Sequence, residues 1–164
     1  MADTDATPSR AVLEMLLSES YGGFTPFARA LAGLEPEDAV LVPEGSPHSA
    51  ADVLAHMVFW QQRFLSMVDG EEPVPVQHSS ASWREVAAEE WPDLVATYLA
   101  GLQRYRSLAA DEANLGRPVA EGRPTTVGAD ILDNFVHEAH HLGQIILLRR
   151  ISGAWPPPGG GDSW

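Results

Sequence analysis

Apolar residues recur at helical spacing in four stretches of this chain, and no stretch alternates with the period of two that marks a strand. The first covers about residues 9–34. Thr7-Pro8 supply its cap and first helical position, and Gly22-Gly23 and Pro26 predict a kink or short break inside it. The second covers about residues 49–68, with Ser46 or Ser49 as the cap. The third starts near Ser82, where Ser-Trp-Arg-Glu fits a capping box, and continues to about Ala109, with Trp91-Pro92 predicting a kink or split. The fourth covers about residues 126–151.

Residues 35–48, 69–81 and 110–126 are rich in Pro, Gly or acidic residues and read as connections. With its two prolines, 69–81 reads as a long crossover between the second and third helices. The Pro/Gly-rich tail, 152–164, cannot be helical and is expected to be extended, either packed on the bundle or mobile. The pattern predicts an all-α four-helix bundle in a single domain spanning 1–164.

The fourth helix carries the strongest chemical signal, FVHEAHHLGQIILLRR. His137 and His141 lie one turn apart, within about 40° of each other around the helix axis. Asp130, Asn134, Gln144 and Leu148 share their stripe. The opposite side carries Ala139, Gly143 and Ile146, so few polar positions face outward and the helix is expected to be buried. On the second helix, His56 shares a stripe with Ser49, Asp52, Val53, Trp60, Arg63 and Met67.

Three inward histidines on two helices can meet at one divalent metal ion; alternatively, each hydrogen-bonds separately within the core. Neutral imidazoles suit Zn, Ni, Mn, Fe or Cu, and three ligands leave a position for water or substrate. A di-iron carboxylate site is rejected, because Glu138-x-x-His141 is the one motif of its kind and the second and third helices lack inward glutamates at matching spacing. Glu138 remains an occasional extra ligand.

Composition narrows the chemistry. The formal charge is −13 with no basic stripe, so nucleic acid is a poor partner. All basic residues are Arg; the absence of Lys excludes Schiff-base chemistry and a Walker-type phosphate loop. The absence of Cys excludes disulfides and thiolate ligands. There is no long apolar run and no visible secretory signal, so the expected location is cytoplasmic, away from membranes.

The context LAHMVFW around His56, followed by H-x-x-x-H-L-G-Q-I, resembles the DinB/YfiT-like metalloprotein superfamily. The likeness covers nearly the whole chain, including SPHSAADVLAH before the second helix and LLRRISGAWPPP at the close. It implies a four-helix bundle whose second and third helices run parallel, and a divalent metal on His56, His137 and His141. The position before the last ligand is often aromatic in that family; here it is His140, either a proton carrier or a bystander. Characterised members include thiol S-transferases using bacillithiol or mycothiol. Despite the superfamily's name, the resemblance implies no DNA polymerase.

The resemblance favours a transferase that activates a low-molecular-weight thiol at the metal. In that reading Arg63 clamps a substrate carboxylate or is simply a snorkelling arginine, while Asp52 and Asn134 orient the imidazoles or are ordinary polar residues. Trp60 and Phe59 read as core. A metal-dependent hydrolase would need Glu138, Asp52 or His140 as general base. A third possibility is a non-enzymatic, stress-related metal-binding protein. Ala139 and Gly143 would permit close helix packing in a homodimer, or equally within the chain.

Overall fold

The computed structural model describes residues 7–18 and 25–160. The elements are α1 (Arg10–Leu17), α2 (Phe27–Leu31), α3 (Pro36–Ala39), α4 (Ala50–Val68), α5 (Trp91–Ala109), α6 (Glu112–Leu115) and α7 (Val127–Ile151). Among the described residues there is no strand, only an isolated bridge between Pro118 and Thr126. α1, α4, α5 and α7 form the bundle. None of the described helices is long and apolar enough to cross a membrane.

Local chemistry explains where the two site-bearing helices begin. Ser49 caps α4: its hydroxyl accepts from the Asp52 N–H at 3.1 Å, while Asp52 Oδ2 accepts from the Ser49 N–H at 2.9 Å. Thr126 caps α7 through the Ala129 N–H at 3.3 Å, and its hydroxyl meets that of Thr7 at 2.9 Å. Leu13, Leu54, Met57, Ile131 and Ile145 are fully buried between these helices. Each such side chain contributes about 1.5–3 kcal/mol relative to exposure.

α4 and α5 run parallel. Asp52 meets Val86 just ahead of α5, Gln61 packs on Gly101, and Asp69 pairs with Arg104 at 2.6 Å. The packing is tightest at Gly101, where a Cβ would lie 1.8 Å from Gln61 Oε1. Residues 69–90 make the required crossover, consistent with the expected parallel arrangement.

Several boundaries differ from the pattern-based expectation. The first stretch is not one helix: α1 ends at Leu17 and Phe27–Leu31 forms a separate short helix. Gly22-Gly23 lie outside the described residues. The third helix starts at Trp91 rather than near Ser82, and Ser82 instead closes a 3-10 turn, Ser79–Ser82. A second such turn, Ala88–Glu90, leads into α5. Pro92 falls in the first turn of α5, where its missing N–H leaves no intrahelical bond unmade, so it starts the helix instead of kinking it. Residues 83–87 stay out of helix because the Val86 N–H donates to Asp52 Oδ1 at 3.0 Å. α3 and α6 are short helices inside segments read as connections.

α7 is also less enclosed than its composition suggests. Val136, His140, Gly143, Leu147 and Ile151 form an exposed stripe, although Ile146 is buried. The tail packs on the bundle as far as it is described. Arg149, itself buried, donates from Nε and Nη2 to the Ala154 carbonyl at 3.1 and 2.9 Å, and from Nη1 to Ala30 O. The guanidinium groups of Arg149 and Arg150 flank the Trp155 ring at 5.5 and 5.4 Å.

Candidate metal centre

The second and fourth predicted helices bring the three histidines together. His137 Nε2 lies 3.1 Å from His56 Nε2 and 3.0 Å from His141 Nε2. One potential ligand atom from each ring falls within 4.8 Å of the other two, the one such group among the described residues. His56 and His141 are buried; His137 is half-buried.

The opposite ring nitrogens explain why Nε2 points inward. The Ser82 hydroxyl donates to the Ser79 carbonyl, so at 2.8 Å from His56 Nδ1 it accepts that ring's proton. His141 Nδ1 donates to Gln144 Oε1 at 2.6 Å. Both rings therefore hold their proton on Nδ1 and turn an Nε2 lone pair toward the common centre, as metal-ligating histidines do. Without a cation, a proton on His137 Nε2 can bridge to one of these lone pairs; with His137 protonated on Nδ1 instead, all three Nε2 atoms can face one ion. The donor set fits a divalent ion of the zinc, nickel, manganese or iron kind.

Burial is the main reason these rings resist protonation. It pushes His56 and His137 down to about 4, helped at His56 by His141, His137 and His48, and at His137 chiefly by His141. His141 is also lowered by burial, although its bond to Gln144 partly offsets this. The sign follows: folding favours the neutral rings, so their contribution to stability is complete above about pH 6.5 and is lost as pH falls through 4. In the metal-free protein, NMR titration is expected to give midpoints near 4 for His56 and His137. Midpoints near 6.5 would contradict the burial shown.

Trp83 supports His56 from the side. Its ring stacks on His56 at 4.0 Å and 13°, and its other face stacks on His48 at 4.0 Å and 6°. Ser82 and Trp83 satisfy the local rule for a helix start; only the tertiary return of the crossover onto α4 makes them supports of His56. Gln144 stands three residues after His141, so helical spacing alone places it beside that ring. Ser82→Ala is expected to weaken metal binding about 10–100-fold, the usual effect of losing an outer hydrogen-bond partner. Competition against a chelator of known affinity measures this; unchanged affinity would mean that packing against Trp83 alone orients His56.

The other candidates lie as follows. Asp52 commits both carboxylate oxygens to backbone N–H groups, of Ser49 and Val86, so the orienting role expected of it falls to Ser82. Asn134 donates to the Asp130 carbonyl at 2.8 Å, within its own helix. Glu138 faces away from the three Nε2 atoms into the α4–α5 contact. There it accepts from Tyr98 at 3.1 Å, Tyr105 at 3.2 Å and Gln61 at 3.5 Å. Burial outweighs these three donors and pushes Glu138 up to about 8. His140 is exposed, with its Nε2 3.4 Å from Gln144 Nε2.

A cavity of about 680 Å³ opens beside the cluster, with His56 and His137 in its wall. Trp60, expected in the core, is half-buried and lines this cavity, as does Arg63, which donates to the Val74 carbonyl. The volume is adequate for a small organic molecule.

A family model described as the DinB superfamily matches residues 25–145, and the chain belongs to that superfamily. Searches among curated proteins and solved structures returned no match.

Proposed function

We propose that this DinB-superfamily protein holds one divalent metal ion on His56, His137 and His141 and uses it to transfer a low-molecular-weight thiol to an electrophile. The observation that carries this reading is the convergence of three Nε2 atoms beside a cavity large enough for substrate. A bound ion would lower the pKa of a thiol placed at its open position, making the nucleophile that this cysteine-free chain lacks. The chain's own contribution is positional. Ser82 and Gln144 fix two ring tautomers, Trp83 holds His56 from the side, and Trp60 and Phe64 supply apolar surface to exclude water. In the overall reaction, a thiol R–SH and an electrophile R′–X give the thioether R–S–R′, with the displaced X leaving as HX.

Hydrolysis is less well supported. Among the bases considered for it, Glu138 is enclosed by two tyrosines and Asp52 is occupied by backbone N–H groups. A purely structural metal is less well supported too, because the cavity reaches His56 and His137.

The test is joint loss of a small thiol and monochlorobimane with protein stripped of metal and then reloaded with zinc or nickel. The expected result is thioether formation that depends on metal and disappears in His137→Ala. Ester or amide hydrolysis without thiol would favour the hydrolase; metal binding with neither activity would favour a stress-related binding role. Cytoplasmic location and a homodimer through α7 remain part of the proposal, checked by fractionation and by light scattering.

A further inference from the structure

The cavity has direction. α4 and α7 run antiparallel along it, so distance from the histidines can be read in helical turns. Along α4 the wall runs from His56 through Trp60 and Phe64 to Met67, the last roughly 16 Å from His56 along the axis. Along α7 it runs back from His137 through Asn134 and Asp133 to Asp130, about 10 Å away. One wall is aromatic and apolar; the other presents hydrogen-bond acceptors.

Two guanidinium groups lie toward the end remote from the histidines. Arg63 is about 10 Å from His56 along α4. Arg123, in the segment before α7, touches the Met67 sulfur at 2.7 Å. Neither forms an ion pair among the described residues: Arg63 donates to the Val74 carbonyl, and the thioether that Arg123 meets is a weak acceptor. The cavity also holds two carboxylates, Asp133 nearer the histidines and Asp130 nearer Arg123, so its fixed charges balance overall, and at the remote end two guanidinium groups face one carboxylate. Asp130 lies near enough to Arg123 to feel its charge but makes no ion pair with it.

We infer that the cavity selects an extended ligand about 15 Å long, anionic at the end held by Arg63 and Arg123 and bearing hydrogen-bond donors along its middle. The aromatic wall of α4 takes the apolar edge of such a molecule, and Asp133 and Asn134 accept its N–H or O–H groups. A carboxylate or a phosphate satisfies the far end equally, since both accept paired guanidinium bonds. The inference rests on the thiol reading only in placing the ligand's other end at the histidines. Arg63 and Arg123 are thus specificity residues, set apart from the atoms that react.

Four short peptides separate the two ideas. N-acetyl-Cys-Gly-Gly-Gly spans about 14 Å from sulfur to carboxylate when extended. It is compared with its C-terminal amide, and both with the corresponding Ser peptides, by calorimetric titration of the zinc-loaded full chain. The acid is expected to bind about tenfold tighter than the amide whether the head is Cys or Ser, a preference that weakens with added salt. In Arg63→Gln/Arg123→Gln the preference should fall below about twofold while zinc content stays the same. Equal binding of acid and amide, a preference that survives the double substitution, or no binding by any peptide overturns the inference. Equal binding of Cys and Ser peptides with the tail preference intact counts against the thiol reading alone.

Discussion

Replacing His137 by alanine is expected to reduce bound metal from about one ion per chain to less than about a tenth after dialysis. His137 is the natural choice because its Nε2 is the one that lies within about 3 Å of both other rings, at 3.1 and 3.0 Å. Removing it leaves a pair on different helices. The effect should exceed the 10–100-fold typical of an outer partner such as Ser82. Elemental analysis of the purified protein measures it, with His140→Ala as the control, since His140 is exposed and outside the cluster. Full metal content in His56→Ala, His137→Ala and His141→Ala alike would end the metal reading.

The second large effect is expected at Glu138, and it concerns the fold. Truncation to alanine leaves Tyr98, Tyr105 and Gln61 with unpaired donors in a buried space and adds a small cavity. The expected loss is about 3–5 kcal/mol. Glu138→Gln should cost far less, because the native group is itself mostly neutral near pH 7: burial pushes it up to about 8. The two variants also differ in pH dependence. A carboxyl raised from 4.5 in the unfolded chain to about 8 contributes stability that is complete below 4.5 and is lost as pH rises through 8. The buried histidines act in the opposite sense at lower pH. The Glu138 contribution is therefore read from urea unfolding as wild type minus Glu138→Gln between pH 5 and 8. A difference that does not change with pH would show that Glu138 is ionised in the folded protein.

What could be read from sequence follows from how local each determinant is. Ser49 and Thr126 cap helices through residues three positions away, so both starts were visible. The i, i+4 spacing of His137 and His141 fixes their common face without knowledge of any other element. The third helix was misplaced for the opposite reason. Ser82-Trp-Arg-Glu satisfies the local rule for a capping box, but Ser82, Trp83 and Val86 are claimed by His56 and Asp52, about thirty residues earlier. Tertiary contact overrode a valid local signal. Asp52 failed as an orienter on the same grounds, since its position one turn from His56 does not reveal that two backbone N–H groups occupy it. Glu138 lies beside His137 in sequence, yet a single step along the helix turns it about 100° away into the Tyr98–Tyr105 contact.

The split of the three histidines between one pair on α7 and a single residue on α4 has a consequence for how metal and folding are linked. Wherever α7 is helical, His137 and His141 are already adjacent, even if the bundle has come apart. His56 joins them only when α4 docks. An ion can therefore keep a two-point hold on a partly unfolded chain, and its stabilising effect on the complete fold is limited to the difference between three-point and two-point binding. The rise in melting temperature on metal loading should accordingly be smaller than the native affinity alone implies. Ala139→Gly, which lowers residual helicity between the two histidines at a cost of only about 1 kcal/mol to the folded helix, should widen the gap between metal binding to folded and unfolded chains.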